Sequence, residues 1–149
     1  MKNHTHALLL VASALVFTCP AVLVTAEEED PLKKRVPLAV RAEVETMKNP
    51  VAMTPENITR GKVIFEGKGL CFKCHGTEGK GNGKLAAFLD PSPRNFTNVE
   101  WQKNRSDGEL HWIIKNGSEG TGMASMAPSE ITPEEAWYVI TYIRTLGKP

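Results

Sequence analysis

The sequence predicts an all-α fold, and three observations carry that prediction. Two stretches have full helix-start signals, Thr54-Pro55-Glu56 and Thr132-Pro133-Glu134-Glu135. Each places a hydroxyl at the N-cap, proline at the first helical position and acid in the first turn. Apolar residues then recur at helical spacing, and no stretch alternates with the period of a strand. Between the two starts lies Cys71-Phe72-Lys73-Cys74-His75, a cluster of reactive side chains for other elements to surround.

Taken in order, residues 1–26 read as a secretory signal. Lys2 supplies a short basic start, Ala7 to Phe17 an apolar run, and Val24-Thr25-Ala26 the small residues before a cleavage site. The run is interrupted by Cys19-Pro20 and is short for a bilayer span, which needs about 20 apolar residues. A retained anchor or a lipid on Cys19 are the alternatives to cleavage after Ala26. Cleavage removes Lys2 and no acid from a chain with 18 Lys and Arg against 17 Asp and Glu, leaving the charges balanced. A balanced surface excludes nucleic acid as the expected partner.

Residues 27–52 are expected to be an N-terminal extension or linker, and residues 53–149 one domain. The extension begins Glu27-Glu28-Glu29-Asp30, changes sign at Lys33-Lys34-Arg35 and continues in helix-permissive residues to Lys48. Val36, Leu38, Val40 and Val44 are too few for a core of their own, so a solvated linker or a helix lying on the domain surface is expected. A docking arm for a partner complex is the sharper alternative. Asn49-Pro50 ends the stretch.

The first domain helix should run from Pro55 to about Gly67, with Ile58, Gly61 and Phe65 on neighbouring turns. Gly61 would let another helix approach closely. Two thiols three residues apart, with histidine directly after the second, are then the attachment signature of a c-type haem. Each thiolate adds to one vinyl group of the porphyrin, and His75 lies beneath the iron as proximal ligand. Zinc would need two more ligands at similar spacing, and Cys19 and His111 do not supply them. A thioredoxin-like pair needs a βαβ context, whereas Gly76, Gly79, Gly81 and Gly83 follow here. A Cys71–Cys74 disulfide would leave His75 unexplained. The glycines exclude regular structure and suggest a loop passing close to the haem edge.

Leu85 to Leu89 reads as one helical turn, stopped by Asp90-Pro91-Ser92-Pro93. A ligating histidine needs an acceptor for its other ring nitrogen, and the Pro91-Ser92-Pro93 carbonyls are the candidates. Arg94, Asn95 and Trp101 are expected beside the haem propionates, with Trp101 as core filler and Arg94 as surface charge the bland alternative. Ser106 and Glu109 form a capping box, Leu110, Ile113 and Ile114 a buried stripe, and Gly117 an end. His111 sits off the stripe and reads as a surface or partly buried residue. Ser118 to Ser129 is a loop holding Met123 and Met126. The last helix is capped by Thr132 and Glu135, buries Ala136, Val139, Ile140 and Ile143, and ends at Gly147. Tyr142 should pack against Gly61 and Phe65, bringing the two ends of the domain together.

Iron with one histidine takes a second axial group where a loop can present one, and a methionine thioether raises the potential. The order of helix, Cys71-Phe72-Lys73-Cys74-His75-Gly76, proline loop, late methionine loop and Glu134-Glu135-Ala136-Trp137 to Tyr142-Ile143-Arg144 resembles a class I c-type cytochrome over residues 53–147. The resemblance implies a small cytochrome c fold, with crossed N- and C-terminal helices around one covalently bound haem c. It makes Cys71 and Cys74 the thioethers, His75 the proximal ligand and Met123 the distal one. Met123 takes that place by its distance before the last helix and its preceding glycine. Met126 departs from the pattern and stays as the alternative, and the extension before Pro50 lies outside it.

Such a protein is expected to be an exported, periplasmic electron carrier rather than an enzyme, passing single electrons between redox protein partners with no small-molecule substrate. A close variant is the cytochrome subunit of a periplasmic oxidoreductase, docked to a membrane complex through residues 27–49. A rival class is a haem enzyme or gas-binding sensor with an open sixth position, which would need His111 as its distal base. A colourless metal-binding or structural module is the third, disfavoured by the lack of further ligand pairs.

Overall fold

The computed structural model describes residues 30–147, so the expected signal and Cys19 lie outside the described residues. Among these, six α-helices and one 3-10 turn occur and no strand. The helices are α1 (Leu38–Thr46), α2 (Pro55–Glu66), α3 (Phe72–His75), α4 (Val99–Lys103), α5 (Asp107–Asn116) and α6 (Pro133–Leu146), with the 3-10 turn at Ala86–Phe88.

The sequence signals act where expected. Thr54 Oγ1 accepts from Asn57 N at 3.2 Å, and proline follows it at the first turn of α2. Thr132 and Glu135 close the capping box of α6 at 3.0 and 3.1 Å. Ser106 and Glu109 do the same for α5 at 2.8 and 3.1 Å. Each box satisfies two amide donors that a helix start leaves orphaned.

Helices α2 and α6 cross at Gly61. A methyl there would stand 2.0 Å from Tyr138 O and 3.0 Å from Tyr142 Cβ, so only glycine permits this approach. Phe65, fully buried, meets Tyr142 edge-on with ring centroids 5.3 Å apart, and Arg60 stacks over the Tyr138 ring at 3.9 Å. Ile64 of α2 is buried too, beyond the stripe read from the sequence. Ala136, Val139, Ile140 and Ile143 complete the seam from α6. Burying one such large apolar side chain contributes about 1.5–3 kcal/mol, so each member of this seam adds to the cohesion of the domain.

Residues 30–49 pack on the domain. A Cβ on Gly108 of α5 would lie 1.8 Å from Val44 O, so α1 rests directly on α5. Val36 and Val44 are buried while Leu38 is 80% exposed, which splits the short apolar set between an inner and an outer face. Asn49 Nδ2 donates to Trp137 O and Thr141 Oγ1, both at 3.1 Å, tying the end of this segment to α6. Of the two forms expected for the extension, its described part is a helix lying on the domain.

Arg144 of α6 gathers the opposite side. Its guanidinium donates to Asp107 Oδ1 at 2.7 Å, Gln102 O at 2.9 Å and Arg105 O at 2.6 Å, anchoring α4 and the start of α5. Helix α4 was not foreseen from the sequence. Its start is Asn98, whose Oδ1 accepts from Trp101 N at 3.0 Å. Five residues are too few for a periodic apolar pattern to emerge, so the cap was its one local signal.

Candidate haem site

The Cys-Phe-Lys-Cys-His run folds as α3, one turn that leaves its last carbonyls without helical partners. The glycine-rich loop supplies the donors: Gly81 N to His75 O at 2.8 Å, Gly83 N to Cys74 O at 3.0 Å and Leu85 N to Lys73 O at 2.9 Å. Glycine is required because the loop doubles back closely, with φ of +76° at Gly76 and +77° at Gly81, where a Cβ would stand 2.4 Å from Pro93 O. The glycines thus serve first to close the turn that carries His75. None of residues 76–83 is among the described wall residues of the cavity below.

His75 and Cys74 open onto a cavity of about 920 Å³ including its mouth. Its apolar wall comes from Leu89, Phe96, Trp101, Leu110, Ile114 and Ile143. His75 stacks on Phe96 at 4.3 Å and 17°. Its Nδ1 donates to Arg94 O at 3.1 Å, which assigns the proton to Nδ1 and leaves the Nε2 lone pair available. The acceptor is thus Arg94, one residue beyond the expected Pro91-Ser92-Pro93 carbonyls. Burial pushes His75 down to about 4 against the opposing pull of the Arg94 carbonyl, so the imidazole is neutral at pH 7, the form that can ligate a metal.

Both thiols are free. Cys71 is part-buried against the core rather than on the cavity wall, and its Sγ donates to Gly69 O at 3.4 Å. Burial pushes its thiol up to about 12.

Met123 lies on the cavity wall with His75. Its loop is held by Ser118 N donating to Met123 O at 2.9 Å and by Met123 N donating to Thr121 Oγ1 at 3.1 Å. A methyl on Gly122 would come 2.4 Å from Leu89 Cδ2, so the 3-10 turn packs against this loop. Met126 packs against the core, and its amide donates to Ile114 O at 2.9 Å.

The expected propionate neighbours divide. Trp101 is buried on the cavity wall, and its Nε1 has no hydrogen-bond acceptor. Arg94 also lines the cavity. Asn95 does not: its Oδ1 accepts from Thr97 N at 2.9 Å and Thr97 Oγ1 at 2.7 Å, so it serves its own turn. Arg35 and Arg105 stand on the wall as well, and sequence reading missed both because neither has a local signal. His111 corrects a further expectation: it is buried, stacked on Trp137 at 4.0 Å, with Nε2 donating to Pro133 O at 3.0 Å. It is away from the cavity, among whose described wall residues His75 is the one histidine.

A mostly apolar cavity, a neutral imidazole, a thioether, two nearby thiols, guanidinium groups and a buried indole N–H in want of an acceptor form a donor set that fits haem c with its carboxylates. An all-helical domain with this site is a c-type cytochrome domain. Residues 56–143 match the family described as cytochrome C oxidase, cbb3-type, subunit III, and the chain belongs to that family. Among solved structures it is similar to a chain of the Kuenenia stuttgartiensis reducing HAO-like protein complex, with 32% identity, a TM-score of 0.58 and 70% of this chain covered. The match spans 49% of that chain, so this protein corresponds to about half of it. Comparison with curated proteins returns no match. The family places haem c binding and electron transfer in this domain.

Proposed function

We propose that the chain is an exported, periplasmic carrier of single electrons with one haem c, held by Cys71 and Cys74, ligated by His75 and Met123, and working between protein partners without a substrate of its own. The observation that carries this reading is the placement of His75 and Met123 on one cavity wall while Met126 is engaged with the core. When bound, the haem supplies a one-electron Fe(II)/Fe(III) couple.

The chain's own residues supply the rest. The Arg94 carbonyl holds the His75 proton on Nδ1 and orients the ring. Phe96, Leu110 and Ile114 exclude water from the cavity, and the Ser118–Met123 hydrogen bond fixes the loop that carries the sulfur. The domain proper is residues 53–149 and residues 27–52 its extension. Residues 1–26 act as the export signal, and among the described residues no helix is long and apolar enough to cross a membrane. Docking to a larger redox complex through residues 27–49 would use the outer face of α1, where Leu38 is exposed, since Val36 and Val44 are committed to the domain.

The test is the optical spectrum of the exported protein, oxidised and reduced, beside Met123→Ala and Met126→Ala. The red-edge sulfur-to-iron band should vanish in Met123→Ala alone. Its persistence there would remove Met123 as ligand, and a high-spin wild-type protein that binds carbon monoxide quickly would favour an enzyme or sensor instead.

A further inference from the structure

Residues 30–36 lie before the matched span of 56–143 and form a strap against the domain. Its tip is a stiff turn: Pro31 fixes one backbone angle, Leu32 N donates to Asp30 Oδ1 at 2.8 Å, and Lys33 N donates to Asp30 O at 3.0 Å. The guanidinium of Arg94 grips this turn at both ends, donating from Nη1 to Asp30 O at 3.3 Å and from Nη2 to Lys33 O at 3.0 Å. Leu32 packs against the core, and Val36 is buried.

The same residue holds the histidine of the haem motif. The Arg94 carbonyl accepts from His75 Nδ1 at 3.1 Å, so Arg94 carries the strap on its side chain and the imidazole on its main chain. Residues 92–95 belong to no helix, so no helical ladder sets the direction of that carbonyl. Beyond it, the segment is fixed by Phe96 N donating to Gly79 O at 2.7 Å. Before it, Pro93 has no amide to donate, and the fork of Arg94 on the strap adds a restraint from the side chain.

We infer that Arg94 is a positioning residue that couples the strap to the axial ligand: its grip on the Asp30–Lys33 turn holds its carbonyl against His75 Nδ1. This rests on the haem reading of the cavity. A firm hydrogen bond from Nδ1 makes the imidazole a more basic ligand and favours ferric iron. Loosening the strap therefore weakens that bond and raises the potential, whereas loss of the Arg94 charge alone would lower it. Contact made with residues 30–36 is in this way felt at the iron ligand.

The test uses the full-length, haem-loaded protein. Arg94→Lys keeps the charge and the carbonyl but replaces a rigid fork by a single ammonium. Leu32→Ala loosens the strap with no change of charge, and Leu32 is not among the described wall residues of the cavity. Val63→Ala, at an exposed site of α2, is the control. The exchange rate of the His75 Nδ1 proton is followed by NMR in the ferrous state, beside the midpoint potential. Arg94→Lys and Leu32→Ala should both speed the exchange about fivefold, the loss of one hydrogen bond's restraint, and raise the potential, with Val63→Ala unmoved. Unchanged exchange in both variants, or an equal change in Val63→Ala, would overturn the inference. So would a change in Arg94→Lys alone, which would be local to that side chain, or in Leu32→Ala alone, which would bypass Arg94. Faster exchange with a falling potential would overturn it too. If Arg94→Lys fails to load haem, Leu32→Ala decides alone by the same two readouts. A wild-type protein without covalent haem would overturn the haem reading and the inference with it, whereas a loaded protein whose His75 proton ignores the strap overturns the inference alone.

Discussion

At the crossing of α2 and α6 the protein fills its own space, whereas beside α5 the chain lines an open cavity of about 920 Å³ including its mouth. Gly61 brings two backbones into contact at the crossing, and Phe65 and Tyr142 lock edge to face across it. On the cavity side, Leu110, Ile114, Trp101 and Met123 face a space instead of one another. Native interiors are close-packed, so a wall of this kind lacks half of its contact partners until something occupies it. The contrast teaches that one flank owes its cohesion to sequence-local signals and direct contact, and the other to the cofactor it holds.

The largest expected effect comes from withholding that cofactor. In Cys71→Ser/Cys74→Ser, which cannot form thioethers, amide hydrogen exchange should accelerate strongly over residues 89–96 and 118–125 while α6 stays protected. Equal acceleration on both flanks would break the comparison, because the crossing would then depend on haem as well.

A smaller effect sharpens it from the other side. In the haem-loaded protein, Phe65→Ala should cost about 3–5 kcal/mol in chemical unfolding, as expected for a fully buried aromatic side chain. Ile113→Ala, on the half-buried cavity face, should cost about 1 kcal/mol. Similar losses would show that the crossing is no stiffer than the wall.

The smallest concerns His111, which belongs to neither the iron site nor the crossing seam. Burial lowers its pKa below the ordinary value of about 6.5, and the carbonyl of Pro133 only partly opposes this. The unfolded chain therefore takes up the proton first, and stability should be complete above pH 6.5 and fall as the pH drops below it. With His75 bound to iron, His111 is the described histidine left to titrate. The melting temperature should fall between pH 7 and pH 5, and less so in His111→Gln, which keeps a donor for Pro133 O. An identical fall in both would assign the acid sensitivity to other groups.

Much of this was legible before any coordinates. Thr54, Ser106 and Thr132 announced three helices because an N-cap acts within four residues, and Gly61 and Tyr142 announced the crossing because helical spacing puts small and large residues on matching faces. Cys71, Cys74 and His75 were legible for the same reason: the attachment chemistry dictates their spacing within one turn. Less legible was anything set by contacts between distant segments. The acceptor for His75 is Arg94 rather than one of the Pro91-Ser92-Pro93 carbonyls, His111, expected at the surface or partly buried, is buried in a stack on Trp137, and Asn95 serves its own turn.

The chain's own order of residues thus determined the helices, the haem motif and the choice of late methionines as candidates, since each is a local matter of caps, periodicity and reach. Only the tertiary structure decided which methionine shares a wall with His75 and which arginines surround the cavity. It also decided that residues 30–36 are bound to the domain by Arg94 and Arg105 and bring Arg35 and Val36 to the cavity wall. Those outcomes depend on loop closure and packing between segments up to 73 residues apart, as for Arg105 and Leu32, and no periodicity in the sequence encodes such a distance.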